Sequence, residues 1–264
     1  MRDSHRLFLR SLMSKQFLSE KETKALYQKA CRVFGDDSSP ENFETFLETV
    51  NRNLKPLYME IRRGVSEEDG SNNYGLVNTT EDEQSKLATD FSPNDIAFFK
   101  KAMDLIVDSP DGTVSSFDVI NASADLEKRM NITHAEELIE RLLKDKWMSE
   151  TSGSYSLGPR AMLELYPYLK RVYEDQIVDC MMCREIAIRG QCCTRCDGKI
   201  HHHCAARYFR GRAQKTCPNQ QCGAVWMHEV PQLSTSSPSQ VNGENDAGPS
   251  SQAGPPGRQR RKRR

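Results

Sequence analysis

Two runs of helical periodicity, each ending in a short alternating segment, come before eight cysteines gathered between Cys180 and Cys222. These observations predict a mainly α chain with small β hairpins and a metal-bound end. The order helix, helix, helix, hairpin is that of a winged-helix domain. The expected domains are two winged-helix units at 1–85 and 86–175, a zinc finger at 176–230 and a disordered tail with a basic end at 231–264.

In the first unit, His5 to Phe17 sets Leu7, Leu9, Leu12, Met13 and Phe17 on one broad apolar face. Ser19 with Glu22 three residues later is a capping box that opens a second helix, reaching about Phe34. Pro40 suits the first turn of a third helix, in which Phe43, Phe46, Leu47 and Val50 face inward. Leu57, Met59 and Ile61 then alternate with Tyr58, Glu60 and Arg62 at strand period. Asp69-Gly70 and Asn72-Asn73 supply turn chemistry before a short strand from Tyr74 to Val77.

A polar link, Thr79 to Ser85, leads to a second unit with the same order. Pro93 starts a helix with Ile96, Phe99, Met103 and Ile106 at helical spacing, and Ser109-Pro110-Asp111-Gly112 ends it. A short helical stretch is expected near Phe117 to Arg129. Thr133 with Glu136 reads as a capping box for a helix whose buried stripe is Leu138, Ile139, Leu142 and Leu143. Trp147-Met148 and Tyr155 to Leu157, joined across Ser152-Gly153, form the second wing. Pro159 opens a further helix with Met162, Leu163 and Leu165 apolar, which Pro167 must kink or break.

Charge bears on the partner class. Lys+Arg and Asp+Glu tie at 37 each over 264 residues, but six basic groups lie in Arg258 to Arg264. Residues 1–230 keep 31 basic and 35 acidic groups, so the folded part has no basic field for a polyanion. The third helix of the first unit carries Glu41, Glu44 and Glu48 against Arg52. In the second unit Glu136, Glu137 and Glu140 offset Arg141, Lys144 and Lys146. Neither face suits phosphate and base-edge contacts, so protein docking is expected, with DNA contacted only within a complex. The run RQRRKRR suits nuclear import. No stretch of about 18 apolar residues exists, and the charged N-terminus lacks the plan of a secretory signal, so no membrane is expected.

The cysteines carry the most specific signal. The spacing is Cys180-x2-Cys183, nine residues, Cys193-x2-Cys196, four residues, His201-x2-Cys204, twelve residues, Cys217-x4-Cys222. Four short pairs make eight ligands, enough for two tetrahedral zinc ions. A stretch of 43 residues with few large aliphatics cannot hold itself together by burial. Zinc binding of roughly 10–16 kcal/mol per structural site supplies the missing stability. With every position filled by protein, the zinc is structural and activates no water. Cys192 adjoins Cys193, and the two-residue gap to Cys196 favours Cys193; the His-x2-Cys gap likewise favours His201 over His202 and His203. Cys31 stands alone in a helical stretch and reads as core packing.

Zinc order alone leaves two finger classes. A PHD finger places an aromatic two residues before the seventh ligand, where this chain has Lys215. Tyr208 and Phe209 in the twelve-residue loop, and Pro218 directly after the seventh ligand, suit a RING finger instead. The fold class expected is therefore tandem winged-helix domains followed by a two-zinc variant RING finger. Met181, Met182, Ile186 and Pro218 are the candidate surface for a ubiquitin-conjugating enzyme.

Five stretches carry a family resemblance: Ile61-Arg62-Arg63-Gly64-Val65, Ala88-Thr89-Asp90-Phe91, Lys146-Trp147, Ile188-Arg189-Gly190-Gln191 and Trp226-Met227-His228-Glu229-Val230-Pro231. With the finger spacing, residues 5 to 231 resemble the RING-finger, first-numbered non-SMC element of the structural-maintenance-of-chromosomes five/six complex. The resemblance implies docking to a MAGE-domain subunit with a kleisin subunit nearby, beside the SMC five/six heterodimer. It also implies a nuclear, chromosome-associated role in DNA repair by homologous recombination, with E3 ubiquitin ligase activity stimulated by the MAGE partner. The family's cross-brace would put Cys180, Cys183, His201 and Cys204 on one ion and Cys193, Cys196, Cys217 and Cys222 on the other. The family's last pair is usually two residues apart rather than four, and many RING ligases carry a basic residue where this chain has Gly223. The competing class is a non-catalytic zinc-finger scaffold or a histone-reading subunit.

Overall fold

The first core forms where three helices close on a small antiparallel sheet. Helix α1 (Asp3–Lys15) buries Ser4, His5, Phe8 and Leu12, and the chain reverses at Gln16, whose φ is 62°. Strand β1 (Phe17–Ser19) follows, so Phe17 belongs to a strand and not to the helix face expected for it. Met13 is 55 % exposed. Ser19 and Glu22 form the expected capping box of α2 (Glu20–Phe34). Pro40–Asn42 makes a single 3-10 turn that leads into α3 (Phe43–Leu54), where Phe43, Phe46, Leu47 and Val50 are buried. Strands β2 (Met59–Val65) and β3 (Asn72–Asn78) complete a sheet of order β1-β3-β2. Asn72 and Asn73 lie in β3, not in the turn, because Asn72 pairs with Val65 and Asn73 with Gly64. The turn is tighter: Ser66 and Ser71 close it with a 2.9 Å backbone hydrogen bond, and Gly70 supplies φ +72°. Leu57, expected in the strand, sits exposed in a 3-10 turn.

A computed structural model describes residues 1–79 and 91–230, all within one compact unit. Most of the Thr79–Ser85 link, Ala88-Thr89-Asp90, Pro231 and the basic tail lie outside the described residues. Among the described residues no helix is long and apolar enough to cross a membrane.

The second core surrounds α4 (Pro93–Asp108), capped reciprocally by Ser92 and Asp95. After β4 (Val114–Ser115), the stretch expected to be helical to Arg129 is shorter: α5 (Ser116–Asn121) and a 3-10 turn at Ala122–Ala124. Helix α6 (Ile132–Lys144) is capped by Asn131, whose side chain accepts from the Thr133 amide. Thr133, the expected cap, is therefore already inside the helix. The second wing forms as expected from β5 (Met148–Thr151) and β6 (Ser154–Leu157), with sheet order β4-β6-β5. At Leu165 the chain breaks into α7 (Pro159–Glu164) and α8 (Tyr166–Val172), and Pro167 sits in the first turn of the second piece, where its missing N–H has no helical partner to lose. Buried Arg160 pairs with Glu164 at 2.7 Å and stacks over the Trp147 ring at 4.5 Å, fixing α7 to the second domain. Tyr173 donates to Asp104 at 2.6 Å, and burial followed by that hydrogen bond pushes its phenol well above the usual range.

Candidate metal centre

Four two-residue strands, β7 (Val178–Asp179), β8 (Ile186–Ala187), β9 (Gln191–Cys192) and β10 (Lys199–Ile200), make two antiparallel hairpins. The ninth helix described, α9 (His202–Phe209), follows them directly. Each hairpin ends in tight turns that aim pairs of cysteines the same way. Arg184 and Asp197 adopt φ of 66° and 54° just after Cys183 and Cys196, so each Cys-x2-Cys turn reverses through the left-handed region.

The chain brings together Cys180, Cys183, His201 and Cys204 in one group and Cys193, Cys196, Cys217 and Cys222 in another. Within each group the potential ligand atoms all lie within 4.8 Å of one another. The pairs alternate along the sequence, first and third together, second and fourth together. Sγ of Cys193 is 3.7 Å from Sγ of Cys222, and Cys196 is 3.7 Å from Cys217. Zn–S bonds of 2.3 Å at tetrahedral angles require an edge of about 3.8 Å. His201 Nδ1 lies 3.3 Å from Cys183 Sγ and 3.9 Å from Cys204 Sγ. Both groups therefore fit a structural zinc ion, with every position supplied by protein.

Two neighbours of these groups, Cys192 and His203, stand outside them. Cys192 is exposed and its carbonyl accepts from His228 Nε2 at 2.6 Å. His203 is buried and turned toward the carbonyl of Glu67, 3.3 Å from its Nδ1, with its ring stacked on His201. The four-residue gap before Cys222 is absorbed locally. Asn219 Oδ1 accepts from Gln221 N at 3.0 Å, its carbonyl accepts from Cys222 N at 3.0 Å, and Gly223 turns at φ +61°. The two extra residues become an Asx turn that returns the last thiol to its group.

Crowding the thiols and the imidazole together divides their protons unevenly. Hydrogen bonding from Cys204 outweighs burial and, with His201, holds the Cys180 thiol down to about 2, while Cys204 is pushed up by the Cys180 thiolate and then by burial. Burial opposes the charge on His201, but the Cys180 thiolate and the Glu67 carboxylate overcome it and raise the imidazole to about 11. In the second group burial is outweighed at Cys193 by the amides of Arg195 and Cys196, bringing it to about 7; at Cys217 burial prevails and lifts the thiol to about 12.

A small core backs the second group. Phe209 packs 5.5 Å from Trp226, whose indole N–H donates to Gln191 at 2.9 Å. Gln191 in turn donates to the Glu229 carbonyl at 2.6 Å, so the segment after Cys222 folds back over β9. Of the four residues expected to form an enzyme-docking surface, Met182 is 41 % exposed, and Met181 and Pro218 are partly exposed. Ile186 is 2 % exposed and belongs to the second winged-helix core, so it is not a surface residue. Its place in β8 turns it toward the body of the chain, an orientation that ligand spacing does not report.

Tandem three-helix units with three-stranded wings, joined to an interleaved two-site finger, define a winged-helix protein with a RING-like zinc module. Residues 5–165 match the family model described as the Nse1 non-SMC component of the SMC5-6 complex, and residues 180–222 match a RING-like domain. The chain belongs to this Nse1 family. It is 37 % identical over 234 residues to the human protein called non-structural maintenance of chromosomes element 1 homolog, covering 88 % of this chain and 87 % of that protein. A fission-yeast relative, from Schizosaccharomyces pombe, is 24 % identical over 229 residues, 85 % of this chain and 92 % of that protein. A solved chain from an Nse1-Nse3-Nse4 complex superposes with a TM-score of 0.79 at 35 % identity, covering 87 % of this chain and 99 % of that one.

Proposed function

We propose that this chain is the RING-type E3 ubiquitin ligase subunit of an SMC five/six complex, acting in the nucleus in DNA repair by homologous recombination. The observation that carries the reading is the interleaved pair of four-ligand groups, with Met182 and Pro218 reaching the surface on loops of different groups. Cys180, Cys183, His201 and Cys204 hold one zinc ion; Cys193, Cys196, Cys217 and Cys222 hold the other. No side chain serves as nucleophile or general base. The finger holds a charged ubiquitin-conjugating enzyme through Met181, Met182 and Pro218, and the gain in rate comes from restricting that enzyme to a reactive geometry. The winged-helix domains dock a MAGE-domain subunit and lie near a kleisin, as the complex that contains the similar solved chain supports.

The second reading, a non-catalytic scaffold, is favoured by one feature. Gly223, just after the last ligand, is exposed at φ +61° and carries no basic side chain to hold ubiquitin. Ubiquitin transfer assayed with the zinc-loaded chain, with and without a MAGE-domain partner, decides between them. The expected result is weak product from the chain alone and more with the partner. No product in either case, from protein carrying two zinc ions, establishes the scaffold.

A further inference from the structure

The turn between β2 and β3 holds a carboxylate that serves another domain. Glu67 is 7 % exposed. Its Oε1 accepts from the backbone N–H of Ile188 at 2.7 Å and of Arg189 at 3.2 Å, and lies 3.3 Å from His201 Nε2. Oε2 is also buried and has no hydrogen-bond partner. Burying a carboxylate this way, with one oxygen unsatisfied, is costly unless its other contacts are strong. The exposed Glu68 beside it shows that the turn itself does not force an acidic side chain inward.

The imidazole explains the placement. A histidine that ligates through Nδ1 carries its proton on Nε2, and that proton needs an acceptor to fix the ring. His201 presents Nδ1 to the thiols and Nε2 to the Ile186 carbonyl at 2.9 Å. The Ile186 carbonyl accepts that proton, and Glu67 Oε1, 3.3 Å from the same Nε2, sets a carboxylate beside it. The Glu67 backbone carbonyl also engages His203, and a Cβ on Gly70 would fall 2.6 Å from the His203 ring, so the turn presses against the start of α9.

We propose that Glu67 is a positioning residue for the zinc site of Cys180, Cys183, His201 and Cys204, so that the first winged-helix hairpin completes the metal centre of the finger. The inference rests on the ligand reading above. It makes the finger's first site a two-domain site, while the four-cysteine site depends on the finger alone.

The test is zinc release from the full-length, zinc-loaded chain to a chromogenic chelator, resolved for the two ions by the visible spectrum of the cobalt-substituted protein. Glu67→Ala is expected to loosen the three-cysteine, one-histidine site about 10–100-fold and to leave the four-cysteine site unchanged. Glu67→Gln keeps an oxygen for the two backbone donors but removes the charge, and is expected to loosen the same site by a smaller factor. Glu68→Ala should change neither. Retention of both ions at wild-type affinity in the Gln variant and in any folded Ala variant overturns the proposal. So does equal loosening of both sites with a lowered melting temperature, which marks a purely structural clamp. Wild-type chain holding fewer than two zinc ions overturns the ligand reading itself, and this inference with it.

Discussion

Phe8 is fully buried, its ring edge-on to Phe46 at 5.3 Å and surrounded by the three helices of the first domain. Met13, five residues on, is 55 % exposed at the far end of the same helix. Truncating a buried phenylalanine removes its transfer energy and leaves a cavity, so Phe8→Ala should cost about 3–5 kcal/mol. Met13→Ala should stay within about 0.5 kcal/mol, as expected of a surface position. Urea unfolding of both variants checks the pair, and equal losses would contradict this packing. Apolar spacing alone ranks Leu7, Leu9 and Met13 beside Leu12 and passes over Phe8. The face that packs is instead set by His5, stacked on Phe46 at 4.1 Å, and by Ser4, which donates to Asp36 at 2.5 Å. Two polar side chains with tertiary partners rotate the buried stripe, and a hydrophobic pattern cannot register them.

Helix starts show the same limit at the level of elements. Ser19 and Glu22 were legible because a capping box is a local chemical pattern, complete within four residues. At α6 the same pattern, Thr133 and Glu136, competes with Asn131, whose side chain reaches the Thr133 amide at 3.0 Å. The asparagine prevails because Asn131 keeps the extended backbone a cap requires, at φ −69° and ψ 140°. Asn131→Ala is therefore expected to cost about 1 kcal/mol, and Thr133→Ala much less. Thermal melts followed by circular dichroism would show it, and a larger loss from the threonine variant would be inconsistent with this cap. The finger was legible for the opposite reason. Its eight ligands obey a spacing that metal geometry imposes, independent of the packing around them. Ile186 lies in the second core and not on the expected surface, because that spacing says nothing of which side of β8 meets the second domain.

Long-range packing ties the three hydrophobic clusters of the described residues together. Leu163 of α7 fills the space over Gly64 and Gly75, where added Cβ atoms would fall 2.6 and 2.7 Å from its methyl groups. Arg62 donates to the Leu163 carbonyl at 3.3 Å across 101 positions of sequence. Ile186 and Ile188 leave the finger to join the second domain's core, and a Cβ on Gly112 would sit 2.7 Å from the Ile188 carbonyl. None of these contacts has a periodic signature. Glu67, 121 positions from Ile188, reads from sequence as an ordinary surface charge. The consequence is thermodynamic. The Ile188 side chain is 4 % exposed and packs in the second core, so truncating it is felt beyond the finger, while its backbone N–H stays to donate to Glu67. Ile188→Ala should cost about 2–5 kcal/mol and lower a single heat-absorption transition of the zinc-loaded chain as a whole. An autonomous finger would instead give two transitions, with only the smaller one displaced, and calorimetry on the full-length protein distinguishes the two outcomes directly.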